Sequence, residues 1–286
     1  MATNQHTAAL AGTFSLGGDL VINRMGFGAM RLTGKGIWGE PADREQAKAV
    51  LHRALDLGVN FIDTADSYGP EVSETIIAEA LYPYPNGLVI ATKGGNDRPG
   101  PDQWTPNGRP EHLRQAFEGS LRRLRVDSID LYQLHRPDPQ VPFEESLGTL
   151  IDLQREGRIR HIGLSNVTVA QLRRAREMTA IVSVQNRYNL EDRESEDVLA
   201  MCEHDGLGFI PWFPLGAGPL TRSGGPLDQV AASHHATPGQ IALAWLLHRS
   251  PVMLPIPGTS KLDHLEENIA AAGIELSEHE FEKLGG

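Results

Sequence analysis

Short apolar runs alternate with amphipathic stretches along most of the chain. The first two runs flank Gly17-Gly18-Asp19, a turn sequence that predicts an N-terminal β-hairpin. Eight further runs resemble buried strands, and they cover residues 25–30, 59–66, 87–95, 128–135, 160–166, 181–189, 208–216 and 252–258. Continuous apolar strands of this kind are typical of a parallel sheet that is covered on its faces.

The stretches between these runs predict helices. Several of them end at a glycine, as helices commonly do, at Gly58, Gly157, Gly206 and Gly273. The predicted helices cover residues 44–57, 71–81, 110–124, 143–156, 168–178, 195–204, 237–249 and 261–271. Eight strand and helix units in about 250 residues match a closed (β/α)8 barrel. An open doubly wound sheet is the alternative architecture.

No linker rich in Pro, Gly or Ser divides the chain. We therefore predict an α/β protein in which residues 1–286 form a single (β/α)8 TIM barrel domain with an N-terminal β-hairpin. Cys202 is the only cysteine, which excludes an internal disulfide, and we expect it to be buried on a helix. His234 and His235 lie in a segment, residues 223–238, that predicts a mobile loop, so we expect no bound metal.

The charge of the chain bears on its partners. Asp and Glu number 37 against 26 Lys and Arg, which gives a formal net charge of −11. This acidic balance opposes a surface that binds nucleic acid or an anionic membrane, and it leaves open only small local basic sites. The first residues lack the basic and apolar parts of a signal peptide, and no run reaches the roughly 18 apolar residues of a membrane span. We expect a cytoplasmic protein.

Polar residues stand at the carboxyl ends of three consecutive predicted strands, the edge that carries the reactive groups of a (β/α)8 barrel. Asp63 ends the second strand and Tyr68 follows on its loop, while Lys93 and His135 end the third and fourth. A buried lysine needs a counterion, and Asp63 on the adjacent strand can supply it. Each residue alone also has a structural explanation, but four on consecutive strand ends favour catalysis.

These side chains can act together as an acid. A nearby cation favours the phenolate, so we expect Lys93 to lower the pKa of Tyr68 below its usual value of about 10. His135 can hydrogen-bond a substrate carbonyl oxygen and orient it toward the phenol. We expect Asp66 to cap the turn or the helix that follows it.

The motifs around these residues resemble those of the aldo-keto reductase superfamily over essentially the whole chain. The similar segments are GVNFIDTADSYGPEVSE, VIATKGG and SIDLYQLH. The resemblance implies a catalytic tetrad of Asp63, Tyr68, Lys93 and His135. It also implies an NAD(P)H-dependent oxidoreductase that reduces the carbonyl of a small molecule, with Tyr68 as the proton donor.

Downstream motifs imply where the nicotinamide end of the cofactor binds. HIGLSN and VSVQN are similar to segments that hold the nicotinamide carboxamide, which places Ser165, Asn166 and Gln185 there. PWFPLG is similar to the motif in which an aromatic side chain stacks on the ring. Trp212 takes that place in this chain, where a tyrosine is common in related proteins.

IPGTSKLDHLEEN resembles the loop and helix that hold the adenosine end. The implied cofactor residues are Gly258, Thr259, Ser260, Lys261, Glu267 and Asn268. Free N–H groups at a helix start suit a phosphate, and Lys261 can add a charge beside a 2′-phosphate. NADPH is therefore expected over NADH, although His264 stands where an arginine is common. A plain helix surface is the alternative for Glu267.

The expected substrates are compact aromatic aldehydes, and pyridoxal is the named candidate. Trp38 and Trp104 lie on loops after the first and third strands and can form aromatic walls. Several segments resemble a bacterial branch of the family that includes pyridoxal reductases. Arg136 could attract an anionic or hydroxyl-bearing group or form an outward salt bridge.

Two other functions remain open on the sequence. One is a nonenzymatic NADPH-binding regulatory module, like the potassium-channel β-subunits of the same fold. The other is a metal-dependent barrel hydrolase, which the lack of clustered histidines on early strands disfavours. The complete tetrad favours the reductase.

Overall fold

The computed structural model describes residues 7–216 and 227–285. Its strands, in chain order, are β1 (Thr13–Leu16), β2 (Leu20–Asn23), β3 (Phe27–Gly28), β4 (Phe61–Asp63), β5 (Val89–Gly94), β6 (Asn96–Asp97), β7 (Thr105–Pro106), β8 (Ile129–Leu134), β9 (Ile159–Ser165), β10 (Ile181–Arg187) and β11 (Gly208–Trp212). The hairpin of β1 and β2 is present as predicted. A parallel sheet with the order β3, β4, β5, β8, β9, β10, β11 contains seven of the eight predicted strands.

The eighth predicted run closes this sheet without forming a regular strand. Leu254 donates its N–H to the Phe209 carbonyl at 2.8 Å, and Gly26 donates to the Pro255 carbonyl at 3.0 Å. The segment thus lies between β11 and β3. Pro255 and Pro257 have no N–H, so a full ladder of hydrogen bonds cannot form there. The predicted (β/α)8 barrel is confirmed, with an irregular last strand.

Ten α-helices lie in the described part of the chain: α1 (Arg44–Asp56), α2 (Val72–Leu81), α3 (Pro110–Leu124), α4 (Phe143–Arg155), α5 (Val169–Met178), α6 (Glu196–Asp205), α7 (Leu227–Ser233), α8 (Pro238–Arg249), α9 (Leu262–Ala270) and α10 (Glu278–Lys283). Each of the eight predicted helices is present, with its ends shifted by at most one residue. Thr168 and Thr237 start α5 and α8 with capping boxes. Cys202 is buried on α6, as predicted.

The loop prediction for residues 223–238 is wrong over Leu227–Ser233, which form α7. Residues 223–226 lie outside the described residues. Leu227, Val230 and Ala231 recur at helical spacing and are buried, and α7 packs on α8. This apolar face stabilises the helix. His234 contacts the Glu280 carboxylate at 3.0 Å.

The hairpin closes the amino end of the barrel. Leu16 and Ile22 are fully buried and pack inside the barrel with Phe61, Leu131 and Leu254. Burial of these side chains removes apolar surface from water at both the hairpin and the barrel floor. The cavities described below lie at the opposite, carboxyl edge. No described helix is long and apolar enough to cross a membrane.

Candidate active site

A buried ion pair joins the ends of β4 and β5. Lys93 Nζ donates to Asp63 Oδ1 at 2.6 Å and to the Thr64 carbonyl at 2.8 Å. The two side chains are 0% and 2% exposed, so water does not screen the pair. Burial on its own would lower the pKa of Lys93, but the charge of Asp63 and the hydrogen bonds to Asp63 and Tyr68 raise it above its usual value. The predicted pairing of Asp63 with Lys93 is confirmed, and Lys93 is a cation.

Tyr68 lies against this cation. Its hydroxyl is 3.2 Å from Lys93 Nζ, and the ammonium is 5.0 Å from the ring centre. The expectation that the pKa of Tyr68 is lowered is wrong. Burial raises this pKa, and Asp63 adds to the rise, so that together they outweigh the lowering by Lys93. The phenol is therefore protonated near neutral pH, which is the form a proton donor needs.

His135 follows β8 and faces Tyr68. The two ring centres are 5.9 Å apart and the planes are nearly perpendicular, at 83°. Burial lowers the pKa of His135 well below its usual value, and the cations Lys93, Arg136 and Arg98 lower it further. The imidazole is therefore neutral and keeps one N–H to donate. The Ser67 hydroxyl lies 3.3 Å from its Nδ1.

The second oxygen of Asp63 is held by two amides. Gln133 Nε2 donates to Asp63 Oδ2 at 3.0 Å, and Gln185 Nε2 donates to the same oxygen at 2.8 Å. The carboxylate thus has partners on both oxygens, which fixes its orientation. Gln133 was not predicted from the sequence. Its signal was a polar residue within an apolar strand, and it pairs in register with Lys93.

Three residues with predicted nicotinamide contacts lie together beside His135. Asn166 Nδ2 donates to the His135 carbonyl at 3.0 Å and to Ser165 Oγ at 2.9 Å. Trp212 Nε1 donates to Asn166 Oδ1 at 3.0 Å, which fixes the edge of the indole. Asn166 adopts a left-handed conformation, with φ +58°. These contacts connect the ring of Trp212 to the strand that carries His135.

A cavity extends from the tetrad toward the start of α9. Asp63, Tyr68, Gln185, Trp212 and Gly258 are among its lining residues. The backbones of Gly28 and Gly258 approach closely there, and a Cβ on Gly258 would lie 2.5 Å from the Gly28 carbonyl oxygen. Only glycine fits at this crossing. The cavity therefore links the predicted nicotinamide residues to the first residue of the predicted phosphate turn.

The other residues predicted for the adenosine end lie just before α9 or in its second half. Lys261 precedes the helix, donates its N–H to Thr259 Oγ1 at 3.1 Å and is exposed, as is Ser260. Asn268 is buried. The Glu267 carboxylate accepts a hydrogen bond from Thr237 Oγ1. This contact matches the helix-surface alternative, although it leaves a cofactor contact open.

A second cavity, of about 360 Å³, opens from Tyr68 and His135. Trp104 lines it and meets both rings edge on, with centre distances of 6.1 Å to each. Ile37 lines this cavity, but its neighbour Trp38 does not. Arg136 lines the cavity and forms no ion pair within residues 7–216 and 227–285, so the outward salt bridge is not formed there. Asn96 also lines this cavity and was missed from the sequence.

The turn residue Asp66, two positions before Tyr68, is partly buried. Its Oδ1 is buried and has no hydrogen-bond partner within the described residues, and α2 begins after Glu71 without a side-chain cap. The expected cap on the helix is not formed by Asp66, and the turn is closed by backbone, where the Glu71 N–H donates to the Asp66 carbonyl at 2.7 Å. Burial and the neighbouring Glu74 raise the pKa of Asp66 to about 8.

Comparison with known proteins assigns the family. Residues 24–285 match the model of the aldo/keto reductase family. The chain belongs to this family, and it is an oxidoreductase. An uncharacterized oxidoreductase of Schizosaccharomyces pombe is 56% identical over 283 residues, which cover 99% of this chain and 92% of that protein.

Two further relatives carry more specific names. Pyridoxine 4-dehydrogenase of Escherichia coli is 47% identical over 282 residues, which cover 96% of this chain and 97% of that protein. The crystal structure of an aldo/keto reductase from Klebsiella pneumoniae in complex with NADP and acetate superimposes with a TM-score of 0.79 at 29% identity. That similarity covers 95% of this chain and 93% of the other.

Proposed function

We propose that this protein is an NADPH-dependent reductase that converts small aldehydes or ketones to alcohols, with Tyr68 as the proton donor. The proposal rests on one observation: the buried Lys93 ammonium donates hydrogen bonds both to the Asp63 carboxylate and to the Tyr68 hydroxyl. Tyr68 lines both cavities, so it borders the places where a cofactor and a substrate would meet. The complete tetrad disfavours a nonenzymatic cofactor-binding module.

The side chains divide the acid chemistry among them. NADPH supplies the hydride that reduces the carbonyl carbon. Tyr68 gives its proton to the carbonyl oxygen, while the neutral His135 donates a hydrogen bond to the same oxygen. Lys93, at 3.2 Å from the Tyr68 oxygen, stabilises the phenolate that remains. Asp63 keeps Lys93 charged and fixed.

The cofactor assignment follows the linked cavity. Ser165, Asn166 and Gln185 would hold the nicotinamide carboxamide, and the face of Trp212 would contact the ring. The turn formed by residues 258–261 would contact phosphate through its N–H groups, assisted by Thr259, Ser260 and Lys261. Glu267 and Asn268 would contact adenine. The related Klebsiella pneumoniae protein binds NADP, which supports this assignment.

A preference for NADPH over NADH rests on Lys261. Its ammonium group has no ion pair within the described residues and lies at the helix start, where a 2′-phosphate would add a charge-assisted contact. The 2′-hydroxyl of NADH would gain much less from the same ammonium.

The proposed substrates are compact aromatic aldehydes such as pyridoxal. The aromatic ring of Trp104 borders the cavity beside Tyr68 and His135, so a flat ring can bury apolar surface there. The Escherichia coli relative is a pyridoxine 4-dehydrogenase, which supports the same class. Trp38 as a substrate contact remains a prediction. We also propose that residues 1–286 form one domain.

An aldehyde panel tests the proposed activity. NADPH oxidation is followed with pyridoxal, a nitrobenzaldehyde, an aldose and a ketosteroid, each with and without a metal chelator. Chelator-insensitive turnover that is fastest with the two aromatic aldehydes supports the proposal. NADPH binding without turnover would establish the regulatory alternative, and a preference for the aldose or the ketosteroid would overturn the substrate assignment.

A further inference from the structure

Arg98 connects three loops at the carboxyl edge of the barrel. It lies after β6, outside the lining of both cavities at the tetrad. A guanidinium has five N–H groups in a rigid plane. Arg98 donates to five backbone carbonyls, at 2.8 Å to Gln103, 2.9 Å to Ile37, 2.7 Å to Ser67, 3.0 Å to Gly36 and 3.5 Å to Gly100. Its hydrogen-bonding capacity is therefore used by backbone from separate loops.

The same guanidinium lies over the rings of two indoles. The guanidinium carbon lies 3.7 Å from the centre of a Trp104 ring and 5.7 Å from that of Trp38. The shorter distance is that of direct stacking, in which the cation contacts the π-face. Trp104 thus has Arg98 on its face and Tyr68 and His135 at 6.1 Å in edge-on contacts. Arg98 contacts the indole from outside the cavity.

One of the five carbonyls links this cation to the tetrad loop. Ser67 precedes Tyr68, its carbonyl accepts from Arg98, and its hydroxyl lies 3.3 Å from His135 Nδ1. The guanidinium is therefore fixed relative to both residues that face the carbonyl oxygen in the proposed reaction. A side chain that stacks on this guanidinium is therefore held at a fixed distance from Tyr68 and His135.

We propose that Arg98 is a positioning residue that determines the preference for aromatic aldehydes by holding Trp104 as a rigid wall beside Tyr68 and His135. The inference rests on the proposed reductase function and deepens it. Arg98 touches neither the proposed substrate nor the cofactor, so it acts through Trp104. Lysine cannot replace it, because an ammonium has three donors and no planar face.

The test uses Arg98→Lys and a matched control. Arg193 has the same kinds of contact far from the tetrad: its guanidinium lies 4.6 Å from a Trp245 ring centre and donates to the Leu190 and Gly285 carbonyls. The ratio of kcat/KM for a nitrobenzaldehyde to that for propanal is measured in each variant. We expect the ratio to fall about tenfold in Arg98→Lys, mainly through KM of the aromatic substrate. Arg193→Lys should leave it unchanged.

A double-mutant cycle separates this role from general destabilisation. In a Trp104→Ala background, Arg98→Lys should change the ratio by less than about twofold, because the wall through which Arg98 acts is gone. An equal loss for both aldehydes, or an undiminished tenfold effect in that background, would overturn the proposal.

Failure of the reductase function itself gives a different result. A wild-type protein that reduces no aldehyde would refute the proposed function, and the position of Trp104 can then be read from near-ultraviolet circular dichroism. Arg98→Lys should reproduce the spectral change seen in Trp104→Phe. A wild-type spectrum in Arg98→Lys would show that Arg98 does not hold the indole.

Discussion

Ion pairs lie at both ends of the barrel. At the amino end, Asp19 in the hairpin turn pairs with Arg160 at 2.8 Å and with His161 at 2.6 Å, and its side chain is 49% exposed. At the carboxyl end, Asp63 pairs with Lys93 at 2.6 Å and is 2% exposed. The distances are alike, but water screens only the first pair.

This difference in burial separates a structural contact from a chemical one. Hydrogen bonds from Arg160 and His161 lower the pKa of Asp19, and the carboxylate remains an ordinary surface anion. Around Lys93, burial opposes the charges, and the same surroundings raise the pKa of Tyr68 and lower that of His135. Perturbed groups that cluster beside cavities are typical of catalytic sites.

The largest effect should come from Tyr68→Phe. Loss of the proton donor should lower aldehyde reduction at least ~100-fold, the lower range for a positioned general acid. NADPH affinity should be preserved, since only one oxygen is removed. Fluorescence titration and steady-state rates measure both quantities, and near-normal turnover would eliminate Tyr68 as the acid.

Lys93→Met tests the buried pair directly. The variant removes the cation that stabilises the phenolate and leaves Asp63 buried without its partner, so turnover should fall about 10- to 100-fold. Arg160→Met is the matched change at the amino end and should leave kcat/KM unchanged. Circular dichroism establishes folding in both. Equal rates for the folded Lys93 variant and the wild type would refute the role of this lysine.

Asp66 gives a pH-dependent difference in stability. Its pKa rises from 3.8 to about 8 on folding, so the folded chain keeps a proton that the unfolded chain has released between these values. Stability from this group is therefore complete below about pH 4 and is lost as the pH rises to about 8. The amide of Asp66→Asn does not titrate, so this variant should not show that loss of stability as the pH rises.

Urea unfolding of this variant at pH 5 and pH 8 measures the effect. The variant should gain on the order of 4 kcal/mol relative to wild type between the two pH values. Asp56→Asn, at an exposed position of α1, serves as the control. A gap that is constant with pH would show that Asp66 is ionised in the folded protein.

Lys261→Ala should have a smaller effect, on cofactor choice alone. NADPH binding should weaken by about 1–2 kcal/mol while NADH binding is preserved, because only NADPH offers a 2′-phosphate to a partly exposed ammonium. Isothermal titration with each cofactor measures the difference. Equal losses for both would show that Lys261 does not contact the 2′-phosphate.

The smallest effect is expected at the amino end. Asp19→Asn should lower Tm slightly at low salt and leave it unchanged at high salt, because salt screens exposed pairs. Turnover should be the same as in the wild type. A large loss of activity would remove the distinction between the two ends of the barrel.

The sequence predicted the parts of the fold that depend on local patterns. Helix ends follow caps and glycines, and the tetrad residues follow from their positions at strand ends. The S-x-x-E pattern of Ser277 and Glu280 also predicts a capping box at α10, which was overlooked. The irregular last strand follows from its prolines.

Contacts between distant loops could not be predicted in this way. Arg98 meets Ile37 across 61 positions of the chain, and no local pattern indicates that contact. The segment from Gly34 to Gly39 fits the G-x-G-x-x-G pattern, yet no helix begins there and its carbonyls bind Arg98. The pKa of Tyr68 was predicted with the wrong sign because the burial of Tyr68 depends on the same loops.

The pH dependence of hydride transfer tests the central claim most directly. Single-turnover reduction of a nitrobenzaldehyde by the NADPH-loaded enzyme is followed between pH 5.5 and about pH 10, a range that brackets the usual pKa values of His and Tyr. A phenol whose pKa is raised by burial, beside a neutral His135, predicts a constant rate that falls only at the alkaline limit. A rate that falls with rising pH near neutrality would contradict this account, since it would require either a lowered pKa for Tyr68 or a protonated His135 as the acid.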